Sequence, residues 1–381
     1  MSEDGPHSAI VIGAGPAGLA AAAMLQSRGV TPVVIERGEG VAASWRSRYD
    51  RLRLHTARRL SSLPRHPIPR AYGRWVARDD LVRYLEDYAA RFSIEPRFGV
   101  DAQRIDRADG GWRVRTSDGH FEAPLVVVAV GHSRVPNLPD WPGRETLPGP
   151  LVHSSEYRNP EVYGGRDVLV VGCGNSGAEI ACDLAEGGAA RVRVAVRTLP
   201  HIVRRDSLGV PNQPLGIVLE KLPPRAVDAI GRAFRKLTVP DLAGYGLPTP
   251  PWGPYTRFLE SRIVPIVDVG FVDALRSGSL EIVPAIERIE GADVALVDGS
   301  RIRPDAIVAA TGYRPGLEPL VGHLGVLDDR GEPSALRGRA HPAAPGLHFI
   351  GYTPSLGGLL RVLPQEARRI ARTGTAAHSA V

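Results

Sequence analysis

Short, continuous apolar runs punctuate this chain, and most of them end at a glycine. Ala9 to Ile12 runs into Gly13, and Val168 to Val171 runs into Gly172. Later, Leu125 to Val130 ends at Gly131, and Ala306 to Ala310 ends at Thr311-Gly312. Unbroken apolar runs of this length fit strands buried on both faces, as in a parallel sheet. The first two runs are each followed by a small-residue apolar stretch, Leu19 to Leu25 and Ala178 to Leu184. Those stretches read as helices packed closely on the sheet. Next strands are expected at Thr31 to Ile35 and Arg191 to Val196. Alternating segments, Trp112 to Thr116 and Val294 to Val297, each precede an Asp-Gly pair, Asp118-Gly119 and Asp298-Gly299. Such pairs favour hairpin turns. Gly346 to Gly351 reads as a short strand, and Gly357-Gly358 precede an amphipathic helix over roughly Leu363 to Thr373.

The order strand, glycine turn, helix, strand, hairpin, buried strand therefore occurs twice. It predicts an α/β fold of two nested Rossmann-like dinucleotide-binding domains. The expected boundaries are 1–160 with 305–381 for the first domain, and 161–304 for the second. The glycine-to-glycine distance is 118 residues in the first repeat (Gly13 to Gly131) and 140 in the second (Gly172 to Gly312). The excess lies in a proline-rich stretch at about 199–265, containing PNQP, LPPR and PTPPWGP. Proline at that density breaks regular elements, so two short helices are expected there. The stretch reads either as a lining of the active site or as a surface elaboration.

The glycine turns carry the chemistry. GAGPAG spans Gly13 to Gly18 and GCGNSG spans Gly172 to Gly177, each after a strand and before a helix. In that context the pattern is a phosphate-binding turn: glycines let the backbone approach a pyrophosphate at a helix N-terminus. The residue ending the next strand separates the two ligands. Glu36, 23 residues after Gly13, suits ribose hydroxyls and repels a 2′-phosphate. Arg197, 25 residues after Gly172, suits a 2′-phosphate. The first turn thus reads as FAD or NAD, and the second as NADP.

Composition changes this picture little. With 381 residues and 43% hydrophobic content the chain supports a globular protein of two or three domains. A net charge of +6 raises nucleic acid as a partner, but the 47 basic residues include only two lysines, Lys221 and Lys236, and the arginines are dispersed. No nucleic-acid role is expected. The denser run Arg46, Arg48, Arg51, Arg53, Arg58, Arg59 reads either as a solvated face or as contacts to cofactor phosphates. The two cysteines, Cys173 and Cys182, form no CxxC pair, which argues against a dithiol relay. Packing is the plainer role for Cys173. The first eight residues, MSEDGPHS, lack the apolar core of a signal peptide, and no run approaches the ~20 apolar residues of a membrane span. A cytoplasmic protein with no membrane partner is expected, as a monomer or homodimer. No triad, paired carboxylates or metal cluster is evident, so no metal is expected.

With these motifs the chain resembles the flavin-containing monooxygenases, and most closely their YUCCA branch. The resemblance rests on GAGPAGLA, on 36–45, on YDRLRLHT (Tyr49 to Thr56) and on RYLEDYAARF (Arg83 to Phe92). It continues through VVGCGNSGAEI, DVGFVDALRSG (Asp268 to Gly278) and ATGYRP (Ala310 to Pro315). The family's FxGxxxHxxxY pattern reads LPGPLVHSSEY here, so Gly149, His153 and Tyr157 match while Leu147 replaces the aromatic residue. Baeyer–Villiger relatives carry tryptophan at the place of Tyr157.

The resemblance implies an NADPH- and FAD-dependent monooxygenase in which reduced flavin forms a hydroperoxide with O2 and oxygenates a small-molecule substrate. Candidate reactions are oxidative decarboxylation of a 2-oxo acid, N-oxygenation and S-oxygenation. A flavin-dependent NADPH reductase passing electrons to another acceptor is the alternative on the same fold. By the resemblance, Gly13, Gly15, Pro16, Ala17, Gly18, Glu36, Arg37, Trp45, Arg46 and Gly131 hold FAD. Gly172, Gly174, Asn175, Ser176, Gly177 and Arg197 hold NADPH. Thr311 and Gly312 line the meeting of the domains, and Gly351 and Leu359 bring the last helix towards the flavin. His55 stands where animal members have asparagine; it reads as the catalytic residue beside the flavin, or else as a hydrogen-bonded core histidine. His153 and Tyr157 brace the structure around the NADP. The segment TPSLGGLLRVLPQE (Thr353 to Glu366) departs from plant members at Leu359, Leu360 and Arg361. Fold and cofactors therefore transfer more firmly than the substrate.

Overall fold

The computed structural model describes residues 7–207 and 209–378, with side chains to 373. Most of the N-terminal segment read above (Met1–Pro6), and Leu208 of the proline-rich stretch, lie outside the described residues. The chain divides into two units. One comprises 1–46, 56–135 and 313–381, the other 47–55 and 136–312.

In the first unit the central sheet runs in the order Pro32–Ile35, Ala9–Ile12, Val126–Val128, Ala344–Phe349, Ala340–His341. The first four strands are parallel and the last is antiparallel. In the second unit the order is Glu281–Pro284, Arg191–Val196, Asp167–Val171, Ala306–Ala309, Leu151–His153, all parallel. Each unit thus has its glycine-loop strand inside its sheet. The next strand lies on one side, and the strand that follows the antiparallel segment lies on the other. The strands Ala9–Ile12 and Ala306–Ala309 are buried along their whole length, which is why their sequences do not alternate.

Each Asp-Gly turn closes a hairpin, but not onto the long apolar run. Gly111–Thr116 pairs with Gly119–Ala123, and Asp293–Leu296 pairs with Arg301–Ile302. With Ala102–Ala108 and Ile286–Glu290 these make a three-stranded antiparallel sheet in each unit. The returning strand of each hairpin is polar and short (GHFEA and RI), so its pattern is too weak to separate it from the buried run beyond.

Three expectations shift. First, the units divide differently from the sequence pattern. Residues 136–160 and 305–312 belong to the second unit, because Leu151–His153 pairs with Ala306–Ala309 in its sheet. Residues 47–55 also join it, because Tyr49 is buried in its core beside Val168, Ile180 and Tyr157. Second, among its described residues the proline-rich stretch holds three α-helices rather than two helices: Gln213–Leu219, Pro224–Thr238 and Pro254–Ser261. Two of them begin at proline, where the missing N–H costs nothing. Third, the last helix is longer, Leu359–His378, with Pro364 inside it. It packs on the first loop helix, Pro16–Gln26. No helix among the described residues is long and apolar enough to cross a membrane.

Candidate functional site

The two glycine turns are built alike down to their close contacts. Gly13 and Gly172 hold φ of +111° and +101°, a region that disfavours side chains. A Cβ on either would lie 2.6 Å from a carbonyl oxygen of the neighbouring strand end, that of Ala129 or Ala310. Gly18 and Gly177 bring the helix onto the turn: a Cβ there would lie 1.8 Å from the Gly13 oxygen and 1.9 Å from the Gly172 oxygen. The middle glycines differ. A Cβ on Gly15 or Gly174 would meet no atom within 4 Å. The outer glycines therefore shape the protein, while the middle ones face open space in front of a helix N-terminus. A dinucleotide pyrophosphate needs that kind of cradle, so the residues fit FAD and NADPH.

The groups beyond the turns fit as well. Both oxygens of Glu36 are held by backbone: Ala14 N donates to one at 2.7 Å and Gly38 N to the other at 2.8 Å. The carboxylate is thereby fixed against the first glycine turn, with lone pairs left for ribose hydroxyls. Arg197 follows directly on the strand Arg191–Val196 and is exposed, with no ion pair to its guanidinium among the described residues. A free fork at that place matches a 2′-phosphate. Pro16 and Ala17 form the first turn of the loop helix. Arg37 is exposed and donates to the carbonyl of Arg134 at 3.3 Å. Trp45 and Arg46 sit on the short helix Ala43–Arg46, where Arg46 pairs with Glu86.

Some expected ligand-holding side chains are committed to protein. The amide of Asn175 donates to the Pro265 carbonyl at 3.2 Å and accepts from Val267 N at 2.7 Å. It ties the end of the proline-rich stretch to the loop helix, which leaves its own backbone N–H for a nucleotide. Gly351 donates its N–H to Glu366 at 2.8 Å. Glu366 also receives the Thr353 hydroxyl, and burial raises its carboxyl above the usual range. Leu359 begins the last helix and is partly exposed. Gly131 has φ +75°, and its carbonyl accepts from the buried Tyr352 hydroxyl at 3.4 Å.

At the end of Ala306–Ala309, Thr311 donates to the Asn137 carbonyl at 2.5 Å, and Gly312 accepts from Asn137 N at 3.0 Å. His153 Nε2 donates to the Gly312 carbonyl at 3.0 Å, while its Nδ1 accepts from Ser155 N at 3.1 Å. Burial lowers the His153 pKa, so the ring is a neutral brace with a fixed tautomer. Tyr157 donates to Asp183 on the second loop helix at 2.8 Å. Its pKa is raised by burial and then by Asp183.

The segment 47–55 lies along that helix, Asn175–Glu186. Glu179, Asp183 and Glu186 recur at spacings of four and three, so they share one face. Arg51 pairs with Glu186 at 2.5 and 2.9 Å and stands 3.8 Å from Asp183. His55 Nε2 pairs with Glu179. Tyr49 hydrogen-bonds to Glu179 and accepts from Ser176, and burial raises its pKa strongly. His55 therefore belongs to the second unit, whereas the sequence pattern places it in the first. The arginine run is largely absorbed by protein: besides Arg46 and Arg51, Arg58 donates to the carbonyls of Gly73 and Ile68.

Glu179 is the residue sequence reasoning missed. A signal for it exists: Glu179 falls inside the apolar, small-residue stretch Ala178 to Leu184, where an acid persists only if something meets it. Both cysteines are free, and burial pushes both thiols up to about 12. They are packing residues, not reactive thiolates. No group of three or more metal-ligating side chains is assembled among the described residues.

Comparison with known proteins follows the same lines. A model of the pyridine nucleotide-disulphide oxidoreductase family matches residues 10–208. The indole-3-pyruvate monooxygenase YUCCA1 of Oryza sativa subsp. japonica is 37% identical over 356 residues, covering 91% of this chain and 86% of that protein. Among solved structures, the flavin-containing monooxygenase from Stenotrophomonas maltophilia has a TM-score of 0.71 at 23% identity, covering 97% of this chain and 98% of that one. The bacillithiol disulfide reductase from Bacillus cereus has the same TM-score of 0.71 at 20% identity, covering 98% and 99%. Likeness at that level of identity is a likeness of fold, which monooxygenases and reductases share.

Proposed function

This chain belongs to the pyridine nucleotide-disulphide oxidoreductase family and, within it, to the YUCCA branch of flavin-dependent monooxygenases, and from that premise we propose that its substrate is an aryl 2-oxo acid. It is an oxidoreductase that uses FAD and NADPH. The proposed reaction consumes the 2-oxo acid, O2, NADPH and a proton, and yields the acid one carbon shorter, carbon dioxide, water and NADP. The observation that carries the substrate class is the 37% identity over nearly the whole chain to an enzyme named for indole-3-pyruvate. Amines and sulfides are the other oxygen acceptors this chemistry serves. The raised thiol pKa values and the absent CxxC remove the dithiol version of the reductase reading, and no observation favours transfer to another acceptor.

Bound FAD supplies the redox chemistry, taking electrons from NADPH and delivering them to dioxygen. The chain's residues bind and orient. Gly15 leaves room for a pyrophosphate at the first loop helix, and Glu36 takes ribose hydroxyls. Gly174 does the same at the second, and Arg197 takes the 2′-phosphate. To His55, held by Glu179, we assign the handling of a proton. Buried, protonated thiols suit a reducing compartment, and we place the protein in the cytoplasm.

The decisive experiment supplies 18O2 and NADPH with phenylpyruvate or indole-3-pyruvate. One labelled oxygen in the product carboxylate, with one carbon dioxide per NADPH, supports the reading. NADPH oxidation that yields only hydrogen peroxide with the acids, but oxygenated product with an amine or sulfide, overturns the substrate class. A separate expectation concerns cofactor choice. Arg197→Ala should lower kcat/KM for NADPH about ten- to a hundredfold, because a charge-assisted contact of ~1.5–3 kcal/mol is lost. The NADH value should hardly move. Equal losses with both cofactors would remove Arg197 from the 2′-phosphate site.

A further inference from the structure

We propose that Glu179 is a positioning residue that fixes which nitrogen of His55 carries a proton. Its bearing on catalysis rests on the monooxygenase reading; its geometry does not. Glu179 is 4% exposed and lies on the second loop helix among buried Ala178, Ile180, Ala181 and Cys182. A carboxylate in such surroundings persists only when its oxygens are matched. Two groups match it: His55 Nε2, against Oε1, and the Tyr49 hydroxyl. Ser176, three residues earlier on the same helix, donates to the Tyr49 oxygen. A continuous chain, Ser176–Tyr49–Glu179–His55, therefore runs from the glycine turn to the imidazole.

The chemistry of the acceptor settles the tautomer. An ionised carboxylate accepts and cannot donate. Against such an acceptor Nε2 carries the hydrogen, which leaves Nδ1 as the ring's open nitrogen. Among the charged groups around Glu179 is Arg205, whose guanidinium also feels Arg53. Neither guanidinium is an acceptor, so neither offers Nε2–H another partner. The His55 side chain remains 20% exposed, and no hydrogen bond to Nδ1 is formed among the described residues. Glu179 thus presents Nδ1 outward as the working atom, much as second partners of metal-bound histidines fix the opposite nitrogen.

The test reads nitrogen protonation directly, without turnover. FAD-loaded protein carrying 15N-histidine, free of NADPH, is followed by long-range 1H–15N correlation from pH ~5 to ~9, across the ordinary histidine value near 6.5. His55 is assigned by its absence in His55→Ala. The expected wild-type pattern keeps Nε2 protonated at every pH, with only Nδ1 titrating. Glu179→Gln should lose that pattern, because its amide can donate as well as accept. Tyr49→Phe should retain it. A wild-type ring that releases its proton from Nε2, or an unchanged pattern in Glu179→Gln, overturns the proposal. The wild-type measurement decides even if Glu179→Gln does not fold. Lack of oxygen transfer alongside an intact Nε2–H pattern would count against the functional reading alone.

Discussion

Gly15→Val is expected to give a folded, colourless protein. Gly15 is the one glycine of its turn whose added Cβ meets no protein atom within 4 Å. The valine therefore intrudes on whatever lies in front of the helix N-terminus, not on the fold. If that is the FAD pyrophosphate, overlap costs ~3 kcal/mol or more, and affinity falls roughly a hundredfold or further. Flavin absorbance per protein after gel filtration, read beside a thermal melt, separates the two effects. Gly18→Val is the contrast. Its Cβ would sit 1.8 Å from the Gly13 oxygen, so the turn itself must give way, and the melt should collapse with the flavin content. A yellow Gly15→Val protein would place the pyrophosphate elsewhere. An unfolded one would show that the open space in front of Gly15 is needed by the chain.

That contrast also marks what the sequence can and cannot disclose. The two turns were legible because each needs glycine for a steric reason, and because strand, glycine, helix is a local order. The tips Glu36 and Arg197 were legible because their spacing follows from one strand-helix-strand unit. What stayed hidden is non-local. Residues 47–55 pass to the second unit because Tyr49 and Arg51 meet Ser176, Glu179 and Glu186 more than a hundred positions away. No periodicity reports such a meeting. Asn175 looks like a phosphate ligand from its place in GCGNSG, yet its amide holds the backbone at Pro265 and Val267. A glycine loop shows where a ligand goes, but each of its side chains is also a hydrogen-bonding resource that a distant insertion can claim. The proline-rich stretch misleads for a related reason. Proline at the first turn starts a helix as readily as proline inside one ends it.

His55→Ala should raise the hydrogen peroxide released per NADPH oxidised about tenfold relative to oxygenated product. Among the described residues Nδ1 is the open side of a ring whose other nitrogen is held by Glu179. Losing one charge-assisted hydrogen bond at a reacting centre costs ~1.5–3 kcal/mol, and ~1.4 kcal/mol is a factor of ten. Reduction of the flavin by NADPH should change far less, since Gly174 and Arg197 are untouched. The substitution has a structural side effect that must be kept apart. It leaves the buried Glu179 carboxylate with Tyr49 alone, at a cost of ~1–3 kcal/mol of stability, and the melting temperature should fall by several degrees. A ratio of peroxide to product, taken on flavin-loaded protein below the melt, does not depend on the folded fraction. An unchanged ratio with a lowered melting temperature would confine His55 to balancing the charge of Glu179. A raised ratio with the stability loss compensated by adding Glu179→Gln would separate the two roles, because a neutral amide at that position needs no counter-charge while Nδ1 stays missing.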